Sequence, residues 1–202
     1  MQDWDEIKIW RVNTRRALLD ARAARSPAQQ ADAARVIGDA LLHALTLQPG
    51  DWLGFYWPIH GEIDLRKSVT ALVGRGAHAA LPEVIARDAP LVFRPWQADC
   101  AMRNGTWDIP VPDTTACVTP TIVLIPCVAV DAEGYRLGYG GGFYDRTLAA
   151  TSPRPLAIGI VLDEAVLPTI HPQAHDIPLD AVLCDQGWRR PLPRRPHIPA
   201  RT

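Results

Sequence analysis

No apolar run in the sequence is long enough to span a bilayer, which excludes a membrane-spanning helical protein. The first residues, Met1-Gln2-Asp3-Trp4-Asp5-Glu6, lack the basic start and apolar stretch of a secretory signal, so a cytoplasmic location is expected. There is no C-x-x-C pair either. Cys100, Cys117, Cys127 and Cys184 each stand alone in an apolar or loop setting, an arrangement that argues against a metal-thiolate site and for reduced, mostly buried thiols. Residues 187–202 lack any acidic residue and carry five arginines and four prolines. With the whole chain at −1, those five charges leave the remainder near −6. Prolines at 191, 193, 196 and 199 forbid a regular helix or central strand there, so a disordered or loosely docked tail is expected. Binding of nucleic acid by that tail is the alternative, and nucleic acid is not the expected partner.

What remains is enough for one domain. A chain of 202 residues, 48% hydrophobic and 21% charged, has the balance of a globular protein with a sizeable core. Residues 4 to 25 hold good helix formers without Gly or Pro, and Ser26 with Pro27 reads as the cap and first position of a second helix running to Leu47. A strand over 51–57, a helix over 65–75 and short strands over 77–81 and 91–94 follow. The later half predicts strands over 121–125, 156–161 and 181–184, with a helix from Phe143 to Ala150. Near-continuous apolar strands alternating with helices predict an α/β fold, a three-layer α/β/α single domain with a mostly parallel central sheet and a helical N-terminus over residues 1–186.

The chemistry concentrates between residues 136 and 145, Arg136-Leu137-Gly138-Tyr139-Gly140-Gly141-Gly142-Phe143-Tyr144-Asp145. Glycines let the backbone approach a ligand closely, successive N–H groups then converge on an anion, and a helix N-terminus adds its dipole. The segment suits a polyphosphate or, alternatively, a merely tight turn. It is neither a Walker loop, since no Gly-Lys-Ser/Thr follows, nor a dinucleotide fingerprint, since Phe143 fills the third glycine position. A bare carboxylate at Asp145 would repel a phosphate, and a bridging Mg²⁺ resolves that conflict. A second carboxylate is then expected, from Asp176 or alternatively Asp180. On the first helix Arg11, Arg15 and Arg22 share one face, with Lys8 one turn earlier, either as a solvated row or as a clamp on the phosphates.

Taken together, these segments resemble the 5-formyltetrahydrofolate cyclo-ligases over about residues 8–185. The family's glycine loop, R-L-G-x-G-x-G-Y-Y-D, is matched with Phe143 in place of the first tyrosine. Gly61-Glu62-Ile63-Asp64 resembles the family's G-E-I-D turn, Trp107-Asp108-Ile109-Pro110-Val111-Pro112 its W-x-I-P-x-P segment, and His175-Asp176-Ile177-Pro178-Leu179-Asp180 the segment that completes its metal site. Two departures stand out. Aligned on Ser26-Pro27, the K-x-x-L-R motif falls on Arg11 and Arg15, so arginine replaces lysine and Thr14 replaces leucine, and Phe143 lacks a hydroxyl.

The resemblance implies ATP- and Mg²⁺-dependent conversion of 5-formyltetrahydrofolate to 5,10-methenyltetrahydrofolate by a monomer or weak homo-oligomer. It places Arg11, Arg15, Arg136, Leu137, Gly138, Tyr139, Gly140, Gly141, Gly142, Phe143 and Tyr144 at ATP. Trp57, Glu62, Trp107, Tyr139 and Phe143 would bind the folate, and Asp145 and Asp176 Mg²⁺. Arg15, Arg136 and Asp145 are the expected catalytic groups. A binding protein without turnover is the alternative that Arg11 and Phe143 suggest.

Overall fold

Local chemistry starts the chain as the sequence predicts. The computed structural model describes residues 4–193. Helix α1 (Trp4–Ala23) is followed by α2 (Pro27–Ala44), whose start is a reciprocal capping box. The Ser26 hydroxyl accepts from the Gln29 amide at 3.2 Å, and the Gln29 side chain accepts from the Ser26 amide at 2.8 Å. α2 stops three residues short of Leu47, where Leu45 turns to extended backbone. Ala33, Ile37 and Leu41, spaced by four, form its buried face.

The rest of the chain runs β1 (Trp52–Gly54), α3 (Arg66–Val73), β2 (His78–Glu83), β3 (Val92–Trp96), β4 (Met102–Asn104) and β5 (Pro110–Pro112). Then come β6 (Ile122–Pro126), β7 (Ala129–Asp131), β8 (Arg136–Leu137), α4 (Phe143–Ala150), β9 (Leu156–Ile160), β10 (Val166–Leu167), β11 (Ala181–Cys184) and β12 (Gly187–Arg190). A seven-stranded sheet has the order β12-β11-β9-β6-β1-β2-β3. Its five inner strands are parallel, while β3 and β12 close the edges antiparallel.

Both faces of that sheet are buried, which explains the unbroken apolar strands. Ile122 and Leu124 of β6 join Ile37 and Leu41 of α2 and Val69 and Leu72 of α3 on one side. Val123 and Ile125 join Leu148 of α4 on the other, with Leu18 of α1 packed alongside. The three layers are as expected, with one addition. The second face is completed by a small sheet, β10-β7-β8, whose strands of two or three residues are too short to give a periodic signal.

The first residues of the expected tail form a strand. Gly187–Arg190 precedes all four prolines and pairs with β11, so these residues belong to the sheet edge. Residues 194–202 lie outside the described residues. Cys127 and Cys184 are buried as expected, but Cys100 is half-buried and Cys117 exposed; all four are free thiols. No helix among the described residues is long and apolar enough to cross a membrane.

The strand order also fixes where a site belongs. From β1 the chain moves to β2 on one side, then returns to place β6 on the other. The connections therefore part above the carboxyl ends of β1 and β6, the crevice in which open parallel sheets hold ligands.

Candidate functional site

Two loops meet over that crevice. The first follows β1 and is closed by its own hydrogen bonds: the Tyr56 hydroxyl donates to the Ile63 carbonyl at 2.8 Å, and the Ile59 amide donates to Glu62 Oε2 at 3.0 Å. Glu62 is 8% exposed. Burial pushes its carboxyl up to about 7, against the lowering effects of the Ile59 amide, the Tyr139 hydroxyl and the Arg22 charge.

The second is the glycine loop between β8 and α4. Gly140 and Gly142 have φ of 95° and 65°, values that explain glycine at those two positions, and Gly142 is the left-handed cap of α4. Tyr139 leans out of this loop onto the first one, donating its hydroxyl to Glu62 Oε1 at 3.0 Å. One step away, the Gly138 carbonyl accepts from Arg15 Nε at 2.7 Å. Burial, and next the neighbouring charge of Arg11, pull the Arg15 guanidinium below its ordinary value. Among the described residues Arg15 pairs with no carboxylate, so a cation without a counter-charge stands against the glycine loop, with Arg11 close enough to affect it.

The two aspartates predicted as metal ligands are each held by an arginine. Asp145 Oδ1 accepts from Arg136 at 2.6 Å and from the Ile177 amide at 3.0 Å, while Arg136 also donates to the Ile177 carbonyl at 2.7 Å. Asp176 Oδ2 accepts from Arg11 at 3.1 Å and from the Gln173 amide at 2.8 Å. The described residues contain no group of three or more potential metal-binding side chains. Asp180 is occupied elsewhere: it accepts from Arg154 at 2.8 Å and the Ala157 amide at 2.7 Å, tying a loop to β9. Asp145 still fits Mg²⁺, because its Oδ2 accepts no hydrogen bond among the described residues, and one carboxylate with phosphate oxygens is an ordinary donor set. Asp176 is arranged alike: Arg11 and the Gln173 amide take its Oδ2, and its Oδ1 accepts no hydrogen bond among the described residues.

The aromatic candidates divide. Trp107 stands 66% exposed in a tight turn, Thr106–Asp108, with both Trp107 and Asp108 at a φ of 58°. Its ring meets Phe143 edge-on at 5.8 Å, so the β4–β5 hairpin reaches the glycine loop. Arg146 lies over the other partner, 4.9 Å from the Phe143 ring, and donates to the Gly141 carbonyl at 2.7 Å. Trp57 is half-buried against the core, with the Arg66 guanidinium 4.5 Å from its ring centre. Leu137 is fully buried and Tyr144 packs into the second core cluster, so both serve the loop as scaffold.

Lys8 does not extend the basic row. It pairs with Asp5 at 3.2 Å on the exposed side of α1. Arg22, by contrast, is 5% exposed and donates to the Cys127 carbonyl at 2.6 Å and the Tyr139 hydroxyl at 3.3 Å. Helical spacing put Arg22 on the right face but carries no information on what covers it. Arg146 was not among the sequence candidates; its position one turn into α4 is its only signal.

The profile of the 5-formyltetrahydrofolate cyclo-ligase family matches residues 7–185. The 5-formyltetrahydrofolate cyclo-ligase of Haemophilus influenzae is 25% identical over 180 residues, covering 86% of this chain and 96% of its own. That of Escherichia coli K12 is 27% identical over 174 residues, covering 80% and 93%. A shorter stretch, 62 residues, is 42% identical to the Mycolicibacterium smegmatis enzyme of the same name, 31% of this chain and 32% of that one. In solved structures the fold is shared by the 5,10-methenyltetrahydrofolate synthetases of Mycoplasma pneumoniae, with a TM-score of 0.72, 23% identity and coverage of 87% and 98%. That of Aquifex aeolicus gives 0.73, 24% identity and coverage of 95% and 99%. With its glycine loop, its Glu62 turn and its arginine-lined first helix all inside the matched stretch, the chain belongs to the 5-formyltetrahydrofolate cyclo-ligase family, and so to the ligases.

Proposed function

We propose that the chain converts 5-formyltetrahydrofolate and ATP to 5,10-methenyltetrahydrofolate, ADP and phosphate. The observation that carries this reading is the position of Tyr139. It belongs to the glycine loop, whose Gly138 carbonyl holds Arg15, and it is bonded to Glu62 in the loop after β1. A phosphate cradle and a pocket for a polar flat ring thus share one residue.

The chemistry needs little covalent help from protein. The formyl oxygen attacks the γ-phosphorus, the bond to ADP breaks, and an imidate phosphate forms. N10 then attacks the former formyl carbon, its proton is lost, and phosphate leaves with the formyl oxygen. Alignment and charge neutralisation are what the enzyme must supply. The backbone of residues 138–142 and the N-terminus of α4 receive the phosphates, and Arg15, uncompensated in the free protein, gains a counter-charge. Arg11 joins it by leaving Asp176. Asp145 would hold Mg²⁺, with Asp176 available once Arg11 has moved; the ion, when bound, offsets the charge of the triphosphate. Arg136 holds Asp145 in orientation.

Trp107, Phe143 and Trp57 offer apolar faces to the folate, and Glu62 offers a carboxylate to its polar edge. The reading is tested by mixing the protein with 5-formyltetrahydrofolate and MgATP and following the near-ultraviolet band of the methenyl product. Product that requires both ATP and Mg²⁺ supports it. Binding of both ligands without product would favour the alternative, a protein that binds but does not turn over.

A further inference from the structure

Arg22 lies beneath three loops at once. One terminal nitrogen donates to the Cys127 carbonyl after β6 at 2.6 Å, and the other to the Tyr139 hydroxyl of the glycine loop at 3.3 Å. Its aliphatic stem runs close to the third: a Cβ built on Gly61, whose φ is 73°, would stand 3.4 Å from Arg22 Cγ. The turn that carries Glu62 therefore lies beside Arg22 with no room to spare for a side chain at Gly61, while the Tyr139 hydroxyl reaches the Glu62 carboxylate.

The chemistry of these groups fixes the direction of the chain. A guanidinium only donates, so the Tyr139 oxygen must accept from Arg22. The single hydroxyl hydrogen of Tyr139 is then aimed at Glu62 Oε1, which lies 3.0 Å away. Among the described residues Arg22 forms no ion pair, so its buried charge is met by the Cys127 carbonyl, by Tyr139 and, through Tyr139, by Glu62. Moving the glycine loop leaves a buried Arg22 donor without its acceptor, and moving the Glu62 turn leaves the Tyr139 hydroxyl without its own.

We infer that Arg22 is a positioning residue that couples the two halves of the site, so that occupation of the glycine loop orders the Glu62 turn and occupation of the Glu62 turn orders the glycine loop. This rests on the nucleotide and folate assignments proposed above. It touches neither ligand. Its role is to convert two loops that diverge from β1 and from β8 into one unit, and the thermodynamic mark of such a unit is reciprocal tightening of the two ligands.

The test is titration calorimetry of the folded full chain with 5-formyltetrahydrofolate, in the absence and presence of saturating Mg²⁺ and β,γ-imido-ATP. In the unmodified protein the nucleotide analogue is expected to tighten folate binding by about fivefold or more, the lower end of ordinary coupling. In Arg22→Gln and in Tyr139→Phe that factor is expected to fall below about two. Arg22→Lys keeps the charge but, as a point donor on one stem, cannot bridge both partners, so it is expected to restore binding of each ligand alone more than their coupling. Tyr139 is 40% exposed in a loop, so Tyr139→Phe serves if Arg22→Gln does not fold. An unmodified protein that binds both ligands without coupling, or a Tyr139→Phe protein with its coupling intact, overturns the inference while leaving the proposed function standing. Failure of the unmodified protein to bind either ligand overturns both.

Discussion

The Tyr139 hydroxyl and Glu62 Oε1 meet at 3.0 Å across 77 residues of sequence. Glu62 is buried, its second oxygen takes the Ile59 amide, and Arg22 stands behind Tyr139. These favourable contacts do not offset the loss of water, and burial pushes the carboxyl from its ordinary 4.5 up to about 7. The sign of the linkage follows. Below about pH 4.5 both folded and unfolded chains hold the proton, and the group makes no difference. As pH rises towards 7 the unfolded chain ionises first, so folding stability falls. Above 7 the loss is complete, about 3 kcal/mol at most. Glu62→Gln should therefore gain stability over the unmodified protein between pH 4 and pH 8, roughly by that amount. Urea unfolding at the two pH values measures it; a difference that does not change with pH would mean Glu62 is solvated and ionised normally.

The Arg136–Asp145 pair is the structural anchor of α4. The Arg136 side chain is 5% exposed and its partner 21%. Asp145→Ala leaves a buried guanidinium with the Ile177 carbonyl alone and frees the Ile177 amide. A loss of about 3 kcal/mol in stability is expected, because breaking one side of a buried pair strands the other charge. Turnover should fall by about a hundredfold or more even where the protein remains folded, since phosphoryl transfer loses both its charge neutralisation and the aim of the loop. Denaturant midpoints and rates on the same preparation separate the two effects.

Trp107 predicts the opposite separation. An exposed side chain in a left-handed turn contributes little to folding, so Trp107→Ala should change stability by no more than about 0.5 kcal/mol. If its ring covers the folate, KM for 5-formyltetrahydrofolate rises about tenfold while KM for ATP stays as it was. Equal KM values for the folate would return Trp107 to the surface.

Arg11 stands at the position where the family's motif has lysine, and it pairs with Asp176. On the proposed assignment of Arg11 to the phosphates, Arg11→Ala removes one charge-assisted bond, so KM for ATP should rise by about 10- to 100-fold, the equivalent of about 1.5–3 kcal/mol. Arg11→Lys should recover part of that loss. Were Arg11→Ala to leave KM for ATP unchanged, Arg11 would be a structural partner of Asp176 and nothing more.

How much of this was legible depended on range along the chain. Ser26 and Pro27 specify a helix start locally, and the structure adds Gln29 to complete a capping box. Residues 121–125 announced a strand buried on both faces, and the four glycines of the loop allowed positive φ without showing that Gly140 and Gly142 are the two that take it. Contacts between distant segments were not legible. Nothing local to Arg22 says that Cys127 and Tyr139, 105 and 117 residues away, will accept its hydrogen bonds. Pairing of Asp176 with Arg11 is equally non-local. The strand at Gly187–Arg190 was masked by the prolines that follow it, because their rule against strands acts only from residue 191 onward.

The most direct measurement uses 5-formyltetrahydrofolate labelled with ¹⁸O in the formyl group, turned over with MgATP, with mass analysis of the phosphate released. Phosphorylation of the formyl oxygen followed by ring closure predicts one ¹⁸O in each phosphate, in step with the methenyl product and ADP. Unlabelled phosphate, or methenyl product formed without ADP, would contradict it.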